Sequence, residues 1–171
     1  MNLRLLGLTI AGAFVIPVAQ AQVLQPGLWE LTSSNVQVEN QSLDVGMLLG
    51  MLKQNTTPEQ QAALEKQGIN LGGQGVRMCL TRQQVASESI PLTDPQSGCS
   101  QQITERNGPN WKFRFSCPKA QGVGTAHFVS DREFTTQVRG TFNVTGIQQN
   151  GNMDTKAVWL GQDCGVVKPR S

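Results

Sequence analysis

Cys99 to Cys117, CSQQITERNGPNWKFRFSC, reads as a β-hairpin with a cysteine at each end. Asn107-Gly108-Pro109-Asn110 is a run of turn formers. Beyond it, Trp111, Phe113, Phe115 and Cys117 alternate with Lys112, Arg114 and Ser116, the period of a strand with one apolar and one polar face. Before it, Cys99 and Ile103 share a parity. If Glu105 pairs with Trp111, paired residue numbers sum to 216, and Cys99 falls opposite Cys117. Facing β-carbons on neighbouring strands come close enough for a disulfide. A slip of one residue would separate the two cysteines by a face.

Strand patterns continue on both sides of this hairpin. Phe134, Val138, Phe142 and Val144 alternate with Glu133, Thr135, Gln137, Arg139, Thr141, Asn143 and Thr145, one face for a core and one for water. Leu28 to Val38, Val76 to Leu80, Gly122 to Ser130 and Met153 to Gly161 read as further strands, with Asn150-Gly151 as the last turn. The expected fold is mainly β: a curved antiparallel sheet, half-barrel or sandwich, of about six or seven strands.

Residues 43–68 interrupt that pattern with a helical hairpin. Val45, Met47, Leu48, Leu49, Met51 and Leu52 are apolar almost all round a helix, which normally means burial. Gly46 and Gly50 weaken it by about 1 kcal/mol each relative to alanine. Thr57-Pro58-Glu59-Gln60 opens a second helix with a capping box and proline in the first turn, and Gly68 ends it. This insertion is expected to cover an apolar sheet face; its functional reading is a methionine-bearing lid over a pocket, with Met47 and Met51 on it. Thr81-Arg82-Gln83-Gln84 is another capping box, starting a one- or two-turn helix.

The beginning of the chain carries an export signal. Arg4 precedes an apolar run from Leu5 to Val18, and Ala19-Gln20-Ala21 is an A-x-A cleavage site. The run falls short of the roughly 20 residues that span a bilayer. Residues 1–21 are therefore expected to be a signal peptide and 22–171 a single β-rich domain with a loose tail, 166–171; after cleavage no transmembrane segment is expected. The periplasm is the first expected location and secretion the second. The net charge of +2 drops by one when Arg4 leaves, so charge offers no argument for nucleic acid as a partner.

Cys79, Cys99, Cys117 and Cys164 all follow the cleavage site, and an even count in an oxidising compartment argues for two disulfides. The hairpin register favours Cys99–Cys117 with Cys79–Cys164. The alternative is Cys79–Cys99 with Cys117–Cys164, in which sequence neighbours meet. No C-x-x-C pair exists and His127 is the only histidine, so no metal and no cofactor are expected.

Pro26-Gly27-Leu28-Trp29-Glu30, Met78-Cys79-Leu80-Thr81, Cys99, Trp111 followed by Cys117, and Gly161-Gln162-Asp163-Cys164 together resemble a bacterial envelope family known as domain of unknown function 3617. The likeness covers nearly the whole mature chain. It implies an exported bacterial protein of this length and no established activity, hence no catalytic residues.

The residues themselves show little chemistry. A nucleophile–histidine pair would have to use His127, no G-x-S-x-G elbow is present, and no pair of carboxylates stands out. The expectation is a non-catalytic envelope protein. It would bind a small apolar ligand or an envelope partner in a concavity under the helical hairpin, walled by Trp29, Trp111, Phe113, Phe115 and Trp159. The alternatives are a hydrolase-like enzyme using His127 and a purely structural or interaction module.

Overall fold

The computed structural model describes residues 24–71, 73, 75–87, 89–91, 97–144 and 146–169. The expected signal peptide lies outside the described residues. Eight strands and three helices follow in the order β1 (Gly27–Val38), β2 (Gln41–Leu43), α1 (Val45–Gln54), α2 (Pro58–Lys66), β3 (Gly75–Leu80), α3 (Arg82–Ala86), β4 (Ser100–Asn107), β5 (Asn110–Cys117), β6 (Ala120–Ser130), β7 (Glu133–Val144) and β8 (Ile147–Gly161).

All eight strands form one open antiparallel sheet, not closed into a barrel, in the order β2-β1-β8-β7-β6-β5-β4, with β3 beside the first half of β1. From β4 to β8 each strand pairs with its sequence neighbour. The strand beyond the expected seven is β2, three exposed residues whose pairing with Val36 to Val38 leaves no sequence period to read.

One face of the sheet is the core. Its rows alternate bulky and small side chains, so that rings of one strand lie over space left by the next. Phe113 pairs with Gly124, which pairs with Val138; a β-carbon on Gly124 would stand 2.4 Å from the Phe113 ring. Phe134 pairs with Ala157, which pairs with Leu31. Trp29, Phe134, Phe128 and Trp111 form a continuous aromatic chain, with successive ring centroids 5.5, 5.8 and 4.7 Å apart. Leu24, Leu80 and Ile90, with Val85 of α3, pack against the same cluster. Gln101 ties that cover down: its Oε1 accepts a hydrogen bond of 3.0 Å from the Ile90 N–H.

The cover of the core is therefore not the helical hairpin, which corrects the expected placement of 43–68. Both helices form, the second with the expected cap: Thr57 Oγ1 accepts from the Gln60 N–H, and Gln60 returns the bond to the Thr57 N–H. But α1 meets the sheet along β1 and buries only Leu49. Met47 and Met51 stand 66% and 55% exposed, with Leu48 and Leu52 beside them. Apolarity predicted burial, whereas this helix keeps most of its apolar surface in solvent.

Two turns also differ from the sequence reading. Asn150-Gly151 lies inside β8, and the chain reverses earlier, where Val144 pairs with Ile147 and Gly146 has φ +88°. Gly151 is needed for a different reason: a β-carbon there would stand 2.8 Å from the Gln37 carbonyl oxygen and 3.2 Å from the Phe142 ring. In the β4–β5 hairpin the sum of 216 holds from Ser100–Ser116 to Ile103–Phe113. Thr104 then adds one residue as a bulge, so Arg106 and not Glu105 faces Trp111.

Cys79 is bonded to Cys164 and Cys99 to Cys117, with Cα separations of 5.6 and 4.0 Å. The first bond reaches across the start of β1, because Leu28 pairs with Cys79 on one side and Gly161 on the other. In the tail, Val167 is buried and its N–H donates to the Cys164 carbonyl, while Val166, Lys168 and Pro169 around it are exposed.

Candidate functional site

The aromatic side chains expected to wall a pocket pack as core. Trp29, Trp111 and Phe113 are buried, while Phe115 and Trp159 are half-buried against the same cluster. Each indole N–H is satisfied by a carbonyl of a neighbouring turn: Trp29 by Gln25 at 2.9 Å, Trp111 by Gly108 at 3.2 Å and Trp159 by Pro26 at 3.1 Å. These donors hold turns in place, as buried indoles usually do. Met47 and Met51 lie on α1, outside this cluster, so the two sets of expected binding residues are not brought together.

The open space in the fold lies on the opposite, polar face. A cleft of about 1090 Å³ runs over β5, β6, β7, β8 and the end of β1, and a second of about 690 Å³ continues it toward the β4–β5 turn. Lys112, Thr125, Gln137 and Asp154 border both. These four form one cross-strand row, since Lys112 pairs with Thr125, Thr125 with Gln137 and Gln137 with Asp154. The next row, Arg114, Val123, Arg139 and Asn152, forms the floor of the larger cleft. Strand alternation creates this lining directly, because residues whose neighbours are core must point the other way.

The acidic side chains around the clefts are engaged. Glu105 holds Lys112 at 2.8 Å, Glu133 holds Lys156 at 3.1 Å, and Asp154 accepts from Asn35 Nδ2 at 2.7 Å. Glu39 Oε1 accepts from the Asn150 N–H at 2.5 Å. His127 sits in the smaller cleft opposite Thr135, with its Nδ1 2.7 Å from Asn110 Oδ1. An amide there fixes the ring but carries no charge to stabilise an imidazolium, the role of the third member of a catalytic triad. Among the described residues no three His, Cys, Asp or Glu side chains gather as metal ligands would. No helix among them is long and apolar enough to cross a membrane.

The sequence reading missed this cleft. Its residues were legible as the water-facing half of each strand, but period-2 alternation carries no information about concavity. The available signal was chemical: Lys112, Arg114 and Arg139 are long cations on the polar face of β5 and β7, the strands on either side of β6.

Comparison with known proteins agrees with this picture of a fold without assigned chemistry. The chain is 56% identical over 140 residues to the "Uncharacterized protein in lpd-3 5'region" of Pseudomonas putida, covering 79% of this chain and 98% of that protein. No solved structure matches it. The family model described as "Protein of unknown function (DUF3617)" matches residues 24–164, which take in all four cysteines and every strand. The chain belongs to the DUF3617 family.

Proposed function

We propose that this chain is a non-catalytic protein of the bacterial periplasm that docks an apolar ligand or envelope partner through α1. The observation that carries the reading is the exposed stripe of Met47, Leu48, Met51 and Leu52, four large apolar side chains at i, i+1, i+4 and i+5 on one helix. Leu43, just before the Asp44 cap, extends it. Single exposed apolar residues are ordinary, whereas a contiguous patch on an otherwise polar surface marks an interaction site. Methionine suits such a surface because its unbranched thioether adapts to varied partners. The two disulfides fit an exported protein, since such bonds persist in oxidising compartments. The amide beside His127 supports a non-catalytic role.

A photo-crosslinking residue at Met47 tests the reading in cells. Crosslinks to an envelope protein or lipid, absent when the same residue replaces Val129, which is exposed on β6 and borders neither cleft, support it. A protein that stays free of crosslinks at Met47, or that fractionates with the cytoplasm, refutes it.

A further inference from the structure

We infer that the polar cleft is a second binding site, independent of α1, and that Arg114 and Arg139 form its anion clamp for a chain bearing carboxylate or phosphate groups. Arg114 pairs with Val123 on one side of that residue, and Arg139 pairs with it on the other. The two arginines thus lie two strand spacings apart, about 10 Å, on the same face. Both are exposed, and among the described residues neither has a carboxylate or hydrogen-bond partner. The nearby acids are already committed, Glu105 to Lys112, Asp154 to Asn35 and Glu39 to the Asn150 N–H. What the cleft presents at this row is therefore two guanidinium groups without an ion-pair partner over the half-exposed Val123, while Asp154 and Glu39, bonded only to neutral groups, keep their charge elsewhere on the lining.

Guanidinium forks match carboxylate and phosphate oxygens in geometry as well as charge. An anion between the two arginines would also relieve their mutual repulsion. Around them the lining is amide and hydroxyl: Gln37, Thr125, Gln137, Thr141 and Asn152. These groups both donate and accept, and so suit the hydroxyls and carbonyls of a polar chain. No aromatic ring faces the larger cleft at the Arg114–Arg139 row, since Phe113 borders it while its ring is buried in the core, and His127 lies in the smaller cleft. The site therefore lacks a stacking platform for neutral sugars, and charge must supply the affinity. The two contiguous clefts have room for several repeat units of an extended chain.

The test is calorimetric titration of the whole mature protein, at low salt, with three probes of matched length: oligogalacturonate, polyphosphate and a neutral maltooligosaccharide. Binding of at least one anionic probe and not the neutral one is expected, and the two anionic arms distinguish carboxylate from phosphate as the preferred group. Arg114→Gln and Arg139→Gln should each weaken that binding about tenfold or more, the size of one lost charge-assisted contact. Arg82→Gln, which removes the same charge from the exposed side of α3 outside both clefts, should change it much less. Affinity should fall as salt rises. Unchanged thermal melting of the arginine variants separates a lost contact from a lost fold. The inference is overturned if neither anionic probe binds, if the neutral probe binds equally well, or if the double variant binds like the parent.

Discussion

The guanidinium of Arg106 lies 4.5 Å from the ring centroid of Trp111, its partner across the β4–β5 hairpin. The bulge at Thr104 is what brings them opposite each other. Without the extra residue, Glu105 would occupy that place and set a carboxylate beside the negative face of the indole. A solvent-exposed cation over an indole face contributes about 0.5–1 kcal/mol. Arg106→Ala should lower stability by that amount in urea unfolding, with the slope of the transition unchanged; a loss of several kcal/mol would mean that the bulge itself depends on Arg106.

Two glycine substitutions should act in opposite directions. Gly140 pairs with Gly122 on one side and Gly151 on the other, a glycine row across three strands. A β-carbon on Gly140 would stand 2.1 Å from the Gln121 carbonyl oxygen, so backbone has to move. Gly140→Ala should cost about 2 kcal/mol or more. Gly50 lies within α1 with nothing within 4 Å of its would-be β-carbon. Gly50→Ala should stabilise by up to about 1 kcal/mol through helix propensity and the unfolded chain. Thermal melts of the two variants check the pair of signs.

Thr136 is 2% exposed on β7, and its Oγ1 has no hydrogen-bond partner among the described residues. A buried hydroxyl without a partner costs about 1–3 kcal/mol. Thr136→Val keeps the shape and the β-branching while removing that group. It should raise stability by about 1 kcal/mol. An equal or lower melting temperature would place an ordered water on the hydroxyl.

The two disulfides should differ in weight. Digestion without reductant should release Cys79 with Cys164 and Cys99 with Cys117 as linked peptides. In the chain-entropy account, closing loops of 85 and 18 residues contributes about 4.5 and about 3 kcal/mol. Replacing Cys79 and Cys164 by serine should therefore destabilise more than replacing Cys99 and Cys117. The reverse order would show that local strand packing, rather than loop length, governs the effect.

The sheet was legible because burial on one face writes itself into alternation. Phe134, Thr136 and Val138 are buried while Gln137 and Arg139 are exposed, as period 2 requires. The bulge was not legible, because Thr104 is an ordinary strand residue and a bulge leaves no compositional mark. Gly151 misled for a related reason: after an asparagine it looks like a turn, yet it is glycine to admit the Phe142 ring and the Gln37 carbonyl. The apolar run of α1 identified the helix correctly and its environment wrongly, since hydrophobicity alone cannot tell a core from a docking surface. Of the candidate sites, Met47 and Met51 were named from that run, while Arg114 and Arg139 were visible only as a solvated face until the register put Val123 between them.

The pairing of β1 with β8 also implies an order of assembly. Strands β4 to β8 can zip up as successive hairpins, while β1 can meet β2 across a tight turn and β3 once α1 and α2 have been made. The seam between these two halves joins Trp29 to Trp159 and must wait for nearly the whole chain. Long-range pairing of this kind is the slow step in β-rich folding. Cys99–Cys117 lies within one half, whereas Cys79–Cys164 joins the two. The first bond can thus be oxidised on a half-made molecule, and the second works as a latch, closed only after the halves have met.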